Sequence, residues 1–194
     1  MITGESLIEL RPWRLSDMED LAFFANNANI ANNMTNRFPH PYLLEHAEAF
    51  IQFAQVSDPI CIFAISYQGK SIGGMGVHLQ DDIFAKNAEL GYWLAEPFWG
   101  QGFVSKLLPE LVDFAFNTYD IQRVFARPFS SNKASQRVLE KNNFVLEATL
   151  PKTIFKNGIY LDELIYAIRR EAWQTYPSTN KYTSFQILQP TNGL

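Results

Sequence analysis

The sequence is short of cysteine, of charge and of long apolar runs, and each shortage excludes something. Its single cysteine, Cys61, cannot form an internal disulfide, and its place in Pro59-Ile60-Cys61-Ile62-Phe63-Ala64-Ile65 reads as a buried, inert thiol. Charged residues make up 19% of the chain, and 16 Lys+Arg against 20 Asp+Glu give a net charge of -4 with no basic run. The electrostatic footprint that nucleic-acid binding requires is missing. No apolar stretch approaches the ~18 residues of a membrane span. Met1-Ile2-Thr3-Gly4-Glu5 carries neither the basic nor the apolar part of a secretory leader. The expectation is a cytoplasmic protein with neither nucleic acid nor membrane as partner. His40, His46 and His78 have no HExxH or other ligand spacing, so no metal site is expected.

Apolar surface, by contrast, is abundant. Hydrophobic residues are 47% of the chain and 16 residues are Phe, which suits a real core and excludes disorder. A length of 194 residues fits one domain. We place it at residues 1–170, with 171–194 as a C-terminal extension. The stretch 175–194 is rich in Tyr, Pro, Ser, Thr and Asn and holds one candidate strand, 184–188. It is expected to dock on the body or to mediate oligomerisation, as in a homodimer.

Hydrophobic periodicity sets the elements. Residues 7–11 read as a first strand, and Ser16-Asp17-Met18-Glu19 as a capping box that starts a helix near Asp17. The Asn-rich stretch 26–36, ending at Pro39-His40-Pro41, is polar and turn-prone. An amphipathic helix follows (Leu43, Leu44, Ala47, Phe50, Ile51, Phe53, Ala54), and the two together are expected to form a flexible flap. Strands are expected at 60–67 and 71–79, joined by the hairpin signature Gln68-Gly69-Lys70, and at 87–95. Residues 103–117 place apolar groups at 103, 104, 107, 108, 111, 112 and 115, one face of a helix. Pro109 predicts a bend in it, with a start near Leu108 as the alternative. A strand at 121–126, a helix at 134–142 and strands at 144–148 and 160–168 complete an α/β domain with a mixed sheet.

The most informative stretch is Leu90-Gly91-Tyr92-Trp93-Leu94-Ala95-Glu96-Pro97-Phe98-Trp99-Gly100-Gln101-Gly102, an apolar strand turning through glycines into a helix. Such an arrangement forms an anion site, because the free N–H groups of the first turn and the positive end of the helix dipole converge. An ordinary turn is the alternative. Gly69-Lys70-Ser71 ends like a P-loop, but residue 64 is Ala and the segment is a hairpin, so that reading fails. Gly100 and Gly102 match half of a dinucleotide fingerprint, but Ser105 stands at the third glycine position and Asp120 precedes the next strand. A short pyrophosphate turn of the coenzyme A type remains.

Three blocks then carry a resemblance: Glu89-Leu90-Gly91-Tyr92-Trp93-Leu94; Trp99-Gly100-Gln101-Gly102-Phe103; and Asn132-x-x-Ser135 with Glu140-Lys141-Asn142-Asn143-Phe144. In order and spacing they resemble the GNAT superfamily of N-acetyltransferases, within it the branch that acetylates ribosomal-protein N-termini (RimJ/RimL-like). The resemblance covers about 7–169. It implies an α/β fold with a mixed, mostly antiparallel central sheet flanked by helices and splayed at the fourth and fifth strands, and acetyl-CoA as co-substrate. It implies backbone contacts from Tyr92 and Leu94 to the pantetheine arm, with one of their N–H groups polarising the thioester carbonyl. The family's Q/R-x-x-G-x-G/A loop maps onto Trp99, Gly100, Gln101, Gly102, Phe103 and Val104, whose amides would hold the pyrophosphate. Trp99 and Val104 depart from that pattern, and the β-branched Val104 is expected to crowd the pyrophosphate and weaken its binding. Asn143 replaces the usual Gly before Phe144. By resemblance Asn132 contacts the cofactor arm and Ser135 protonates the departing thiolate, while Asn132 also suits a plain N-cap.

The implied chemistry needs a neutral amine, a polarised carbonyl and a proton for sulfur, with alignment supplying much of the acceleration. No covalent enzyme intermediate is required, so Cys61 has no part. Glu89 is the best candidate base, set in an apolar strand on the face opposite Leu90, Tyr92 and Leu94. A surface carboxylate is the alternative reading, and water could serve as base instead. Some relatives carry a Glu in the loop after the penultimate strand, but Leu150-Pro151-Lys152-Thr153-Ile154-Phe155-Lys156 has none. Tyr160 and Asp162 lie where the family places acceptor-site residues, with packing or solvated roles as alternatives. An α-amine with pKa near ~8 is partly neutral at pH 7, whereas a lysine amine near ~10.4 is scarcely so. A protein or peptide N-terminus is therefore the expected amine substrate. The rivals are an enzyme acting on a small amine such as a polyamine or aminoglycoside, and a catalytically degenerate acyl-CoA-binding scaffold.

Overall fold

Seven apolar strands form one mixed sheet in the computed structural model, which describes residues 8–175; the candidate strand at 184–188 lies outside the described residues. In chain order the elements are β1 (Ile8–Pro12), α1 (Met18–Ala25), α2 (Ala28–Ala31), α3 (Leu44–Val56), β2 (Ile62–Tyr67), β3 (Lys70–Leu79) and β4 (Asn87–Leu94). There follow α4 (Phe103–Thr118), β5 (Arg123–Ala126), α5 (Lys133–Lys141), β6 (Val145–Lys156), β7 (Ile159–Arg169) and α6 (Arg170–Gln174). Across the sheet the order is β1-β2-β3-β4-β5-β7-β6, antiparallel everywhere except between β4 and β5. That parallel pairing is short, joining only Asn87–Glu89 to Arg123–Phe125. Past Glu89 the two strands part, and β4 continues to Leu94 bonded to β3 alone.

β2 and β3 are buried at nearly every position, and since successive side chains point to opposite faces the sheet has two apolar faces, each with its own core. One packs Leu90, Leu94, Met75 and Val77 against Val104, Leu107, Leu108 and Leu111 of α4, and extends to Leu139 of α5. The other packs Ile62, Ala64 and Trp93 against Leu21, Ile30, Ala47 and Ile51 of α1, α2 and α3. The sheet is thus a partition with helices on both sides, and the gap between β4 and β5 is a passage through it. α4 runs unbroken over Pro109, as the longer of the two sequence readings expected. Trp173 of α6 packs on the α4 side, its Nε1 donating to Asp113 Oδ1 at 2.6 Å.

Three local expectations need correction. The Ser16 capping box does not form: α1 follows a 3-10 turn at Leu15–Asp17, and Asp17 turns inward to a bidentate pair with Arg11 (2.7 and 2.8 Å). The same carboxylate accepts the Arg14 N–H at 2.8 Å, so a buried ion pair does the work assigned to a surface hydroxyl. The Asn-rich stretch is not merely turns. Asn27 Oδ1 accepts the Asn29 and Ile30 N–H groups and caps α2, and Ile30 is buried in the second core. Instead of standing as a free flap, it is pinned from outside by Glu96, whose carboxylate accepts from Asn27 Nδ2 (2.6 Å) and Asn29 Nδ2 (3.0 Å). Finally, the strand expected at 144–148 extends to Lys156 through Pro151. β6 is the sheet's edge, where a proline breaks no interior ladder, and a register shift between Leu150 and Ile154 absorbs it.

Candidate active site

The turn between β4 and α4 needs glycine for its backbone. Gly100 and Gly102 have φ of +74° and +78°, in the left-handed region that side chains rarely adopt, and Gly102 is the N-cap of α4. The first bond of that helix runs from the Lys106 N–H to the Gly102 carbonyl. The N–H groups of Phe103, Val104 and Ser105 therefore have no helical acceptor. Gly100, Gly102, Phe103, Val104 and Ser105 all line one cleft of about 500 Å³. Gln101 does not: its side chain turns back to the Pro97 carbonyl (3.2 Å), which leaves only its backbone available for the expected contact. Trp99 borders the cleft and its indole N–H donates to the Leu94 carbonyl at 2.7 Å, tying the turn to the strand. Val104 is 8% exposed and shared between the cleft wall and the main core.

The hydrogen-bond ladder orients β4. The Ala95 N–H donates to Ile72 and the Gln80 N–H to Asn87, which sets the amide edges of residues 87, 89, 91, 93 and 95 toward β3. By alternation, Tyr92 and Leu94 present theirs to the opening left by the splay, as the resemblance implied. Their side chains share a face with Leu90, toward α4 and α5, while Glu89, Gly91 and Trp93 face the other way.

α5 supplies the opposite wall. Asn132 Oδ1 accepts the Ser135 N–H at 3.1 Å, the N-cap expected of it, and both residues line the cleft. Asn132→Ala is expected to cost about 1 kcal/mol, lowering Tm by about 2–4 °C for a chain of this size; thermal unfolding followed by circular dichroism checks it. Ser135 Oγ lies 2.7 Å from the Tyr92 hydroxyl. Burial pushes the Tyr92 phenol up to about 12, the Ser135 bond pulling the other way, so Tyr92 stays protonated at neutral pH. Arg137 and Lys141, further along α5, add two cations to the same wall.

Glu89 sits where the cleft meets a second cavity of about 310 Å³. Its carboxylate has no hydrogen bond or ion pair among the described residues. Two charged residues that sequence reasoning passed over stand beside it: Arg127, after β5, and Glu163, on β7, which form an ion pair. Glu163 is only 7% exposed. A carboxylate inside the apolar strand 160–168 was the available signal, but Asp162 drew attention instead. Asp162 lines neither cavity; its Oδ1 accepts the Lys152 N–H at 2.9 Å and closes the β6 bulge, and Tyr160 packs on Phe155.

Backbone donors at a helix N-terminus, a free strand edge, and cations on the far wall fit a ligand with a phosphate end and an amide-bearing arm. Comparison with known proteins agrees. The profile described as "Acetyltransferase (GNAT) domain" matches residues 8–145. The chain belongs to the GNAT acetyltransferase family, N-acetyltransferases that draw their acetyl group from acetyl-CoA. It is 29% identical over 108 residues to the putative ribosomal N-acetyltransferase YdaF of Bacillus subtilis, covering 56% of this chain and 58% of that protein. It is 23% identical to the spermidine N(1)-acetyltransferase of Vibrio cholerae, covering 77% of this chain and 87% of that one. The structure of RimL, described as a ribosomal L7/L12 alpha-N-protein acetyltransferase in complex with coenzyme A, superposes with a TM-score of 0.76 and 25% identity, covering 87% of this chain and 97% of that one. These neighbours place the chain beside the RimJ/RimL-like branch, as the motifs implied.

Proposed function

We propose that this chain moves an acetyl group from acetyl-CoA to a primary amine by direct attack, and that the amine is a protein or peptide N-terminus. The observation that carries the reading is the passage through the sheet: a strand edge and helix N-terminus suited to the donor on one side, and a free carboxylate, Glu89, on the other. Acetyl-CoA supplies the activated acyl group when bound. Phe103, Val104 and Ser105 at the start of α4, with the Gly100–Gly102 turn, hold its pyrophosphate, and Asn132 its arm. The amide edges of Tyr92 and Leu94 align the thioester, one N–H polarising its carbonyl. Glu89 takes a proton from the incoming ammonium. The nitrogen lone pair then forms the new C–N bond, the C–S bond breaks, Ser135 gives its proton to the departing sulfur, and the second proton shed by the amide nitrogen restores the Ser135 hydroxyl through water. Tyr92 positions Ser135 by holding its Oγ at 2.7 Å.

No strongly basic device surrounds Glu89, and this supports an α-amine as acceptor. About a tenth of an α-amine is neutral at pH 7, against a far smaller fraction of a lysine amine. A cytoplasmic enzyme acting on newly made chains fits this reading. The test is an incubation with acetyl-CoA and two peptides, one with a free N-terminus and one N-terminally blocked with an internal lysine. Thiol release and mass spectrometry should show acetylation of the first and little of the second; preference for the second, or none of either, contradicts the proposal. Tyr92→Phe is expected to lower kcat roughly fivefold, the worth of one hydrogen bond of about 1 kcal/mol, with the KM for acetyl-CoA moving less than about twofold.

A further inference from the structure

The second cavity carries four charged side chains, Glu89, Glu163, Arg127 and Lys156, and its remaining wall is Met34, Thr35, Asn36, Phe129, Ile154 and Phe155. Two carboxylates in an acceptor site suit a diamine, one for each ammonium. Here they are not equivalent. Glu163 is buried on β7, with Oε1 paired to Arg127 Nε and Oε2 accepting from Thr153 Oγ1 at 3.4 Å. Its Oε1 is committed to Arg127, while the Thr153 hydroxyl divides its one proton between Oε2 and the Leu150 carbonyl. Lys156, on β6, reaches only the neutral Asn36 Oδ1 at 3.0 Å. Among the described residues that leaves Glu89 as the cavity's carboxylate without an ion pair, within the field of Arg127, and Lys156 as its cation without one.

We propose that the Arg127–Glu163 ion pair is a specificity element of the acceptor site: by neutralising one of two carboxylates it leaves a seat for a single ammonium at Glu89 and turns polyamines away. The inference rests on the amine-acetyltransferase reading above. Glu163 is the buried member of the pair, so a seated ammonium could take it only by replacing the direct guanidinium contact that Arg127 already makes. A second ammonium would find Glu163 already paired and Lys156 on the same wall, and juxtaposed like charges discriminate by repulsion. The apolar part of the wall accepts instead an uncharged group next to the amine.

A matched pair of acceptors isolates the second charge: two peptides with free N-termini that differ only in carrying norleucine or lysine at the second position. With saturating acetyl-CoA, the protein should favour the norleucine peptide in kcat/KM for its α-amine by at least about tenfold, mostly through KM. Arg127→Met frees Glu163 and should reverse the preference. If the unpaired buried carboxylate unfolds that variant, the double variant Arg127→Met with Glu163→Gln removes both charges and should bring the ratio close to one. Calorimetry with acetyl-CoA confirms that each variant keeps its donor site. Equal use of both peptides by the unaltered protein, or an unchanged ratio in the variants, overturns this inference while leaving the acetyltransferase reading intact. Acetylation of neither peptide, with acetyl-CoA still bound, overturns that reading and the inference with it.

Discussion

Glu89→Gln is expected to lower kcat for amine acetylation at neutral pH by about 100-fold or more, within the range that a positioned acid or base contributes. The substitution keeps the size and the strand position and removes only the basicity. The expected signature is selective. Acetyl-CoA affinity, measured by calorimetry, should stay within about twofold, because Glu89 faces the second cavity while the donor contacts lie at the α4 turn and on the Tyr92 face. Raising the pH supplies more neutral amine and should recover part of the lost rate. Unchanged kcat would hand the proton to water and leave Glu89 an electrostatic seat for the ammonium alone.

Gly102→Val is expected to abolish acetyl-CoA binding at concentrations that saturate the unaltered protein. A Cβ at Gly102 meets no atom within 4 Å, so the effect is conformational, not steric. Its φ of +78° costs an L-residue about 1–2 kcal/mol, and a β-branched one more. The turn would escape by flipping to negative φ, which swings the first N–H groups of α4 out of the cleft. Gly102→Asn is the informative partner, since Asn tolerates the left-handed region several-fold better than most residues. It should retain measurable binding where Val loses it. Equal affinity in both variants would mean that the turn does not hold the donor.

The fold was legible wherever periodicity was long. The 103–117 stripe, the hairpin at Gln68-Gly69 and the strand through 87–95 all stand as read, within one or two residues. The misses have local physical causes. α2 is four residues long, too short to show a helical period, and is anchored by Ile30 and Ala31 among asparagines. β6 continues through Pro151 because edge strands tolerate proline, and Asn157-Gly158, with φ of +51° and +81°, makes the two-residue turn that joins it to β7. Asn-Gly is the strongest short hairpin signal, and it was there to be used.

The site divided along similar lines. The donor side was legible because backbone geometry at glycines, a strand edge and an N-cap is written in consecutive residues. Every residue named for it lines the cleft except Gln101. The acceptor side was not. Arg127 and Glu163 are 36 residues apart and meet only because β5 and β7 are neighbours in the sheet. Nothing local marks either as one half of a pair. The Tyr92–Ser135 contact, across 43 residues, is the same kind of fact.

The most direct test of the account is a calorimetric titration of the purified chain with acetyl-CoA, because every catalytic role assigned here depends on that site. The account predicts saturable micromolar binding at one site per chain, lost in Gly102→Val and kept in Glu89→Gln. No binding up to millimolar acetyl-CoA would contradict it, and the cleft between β4 and α5 would then have to serve a different ligand.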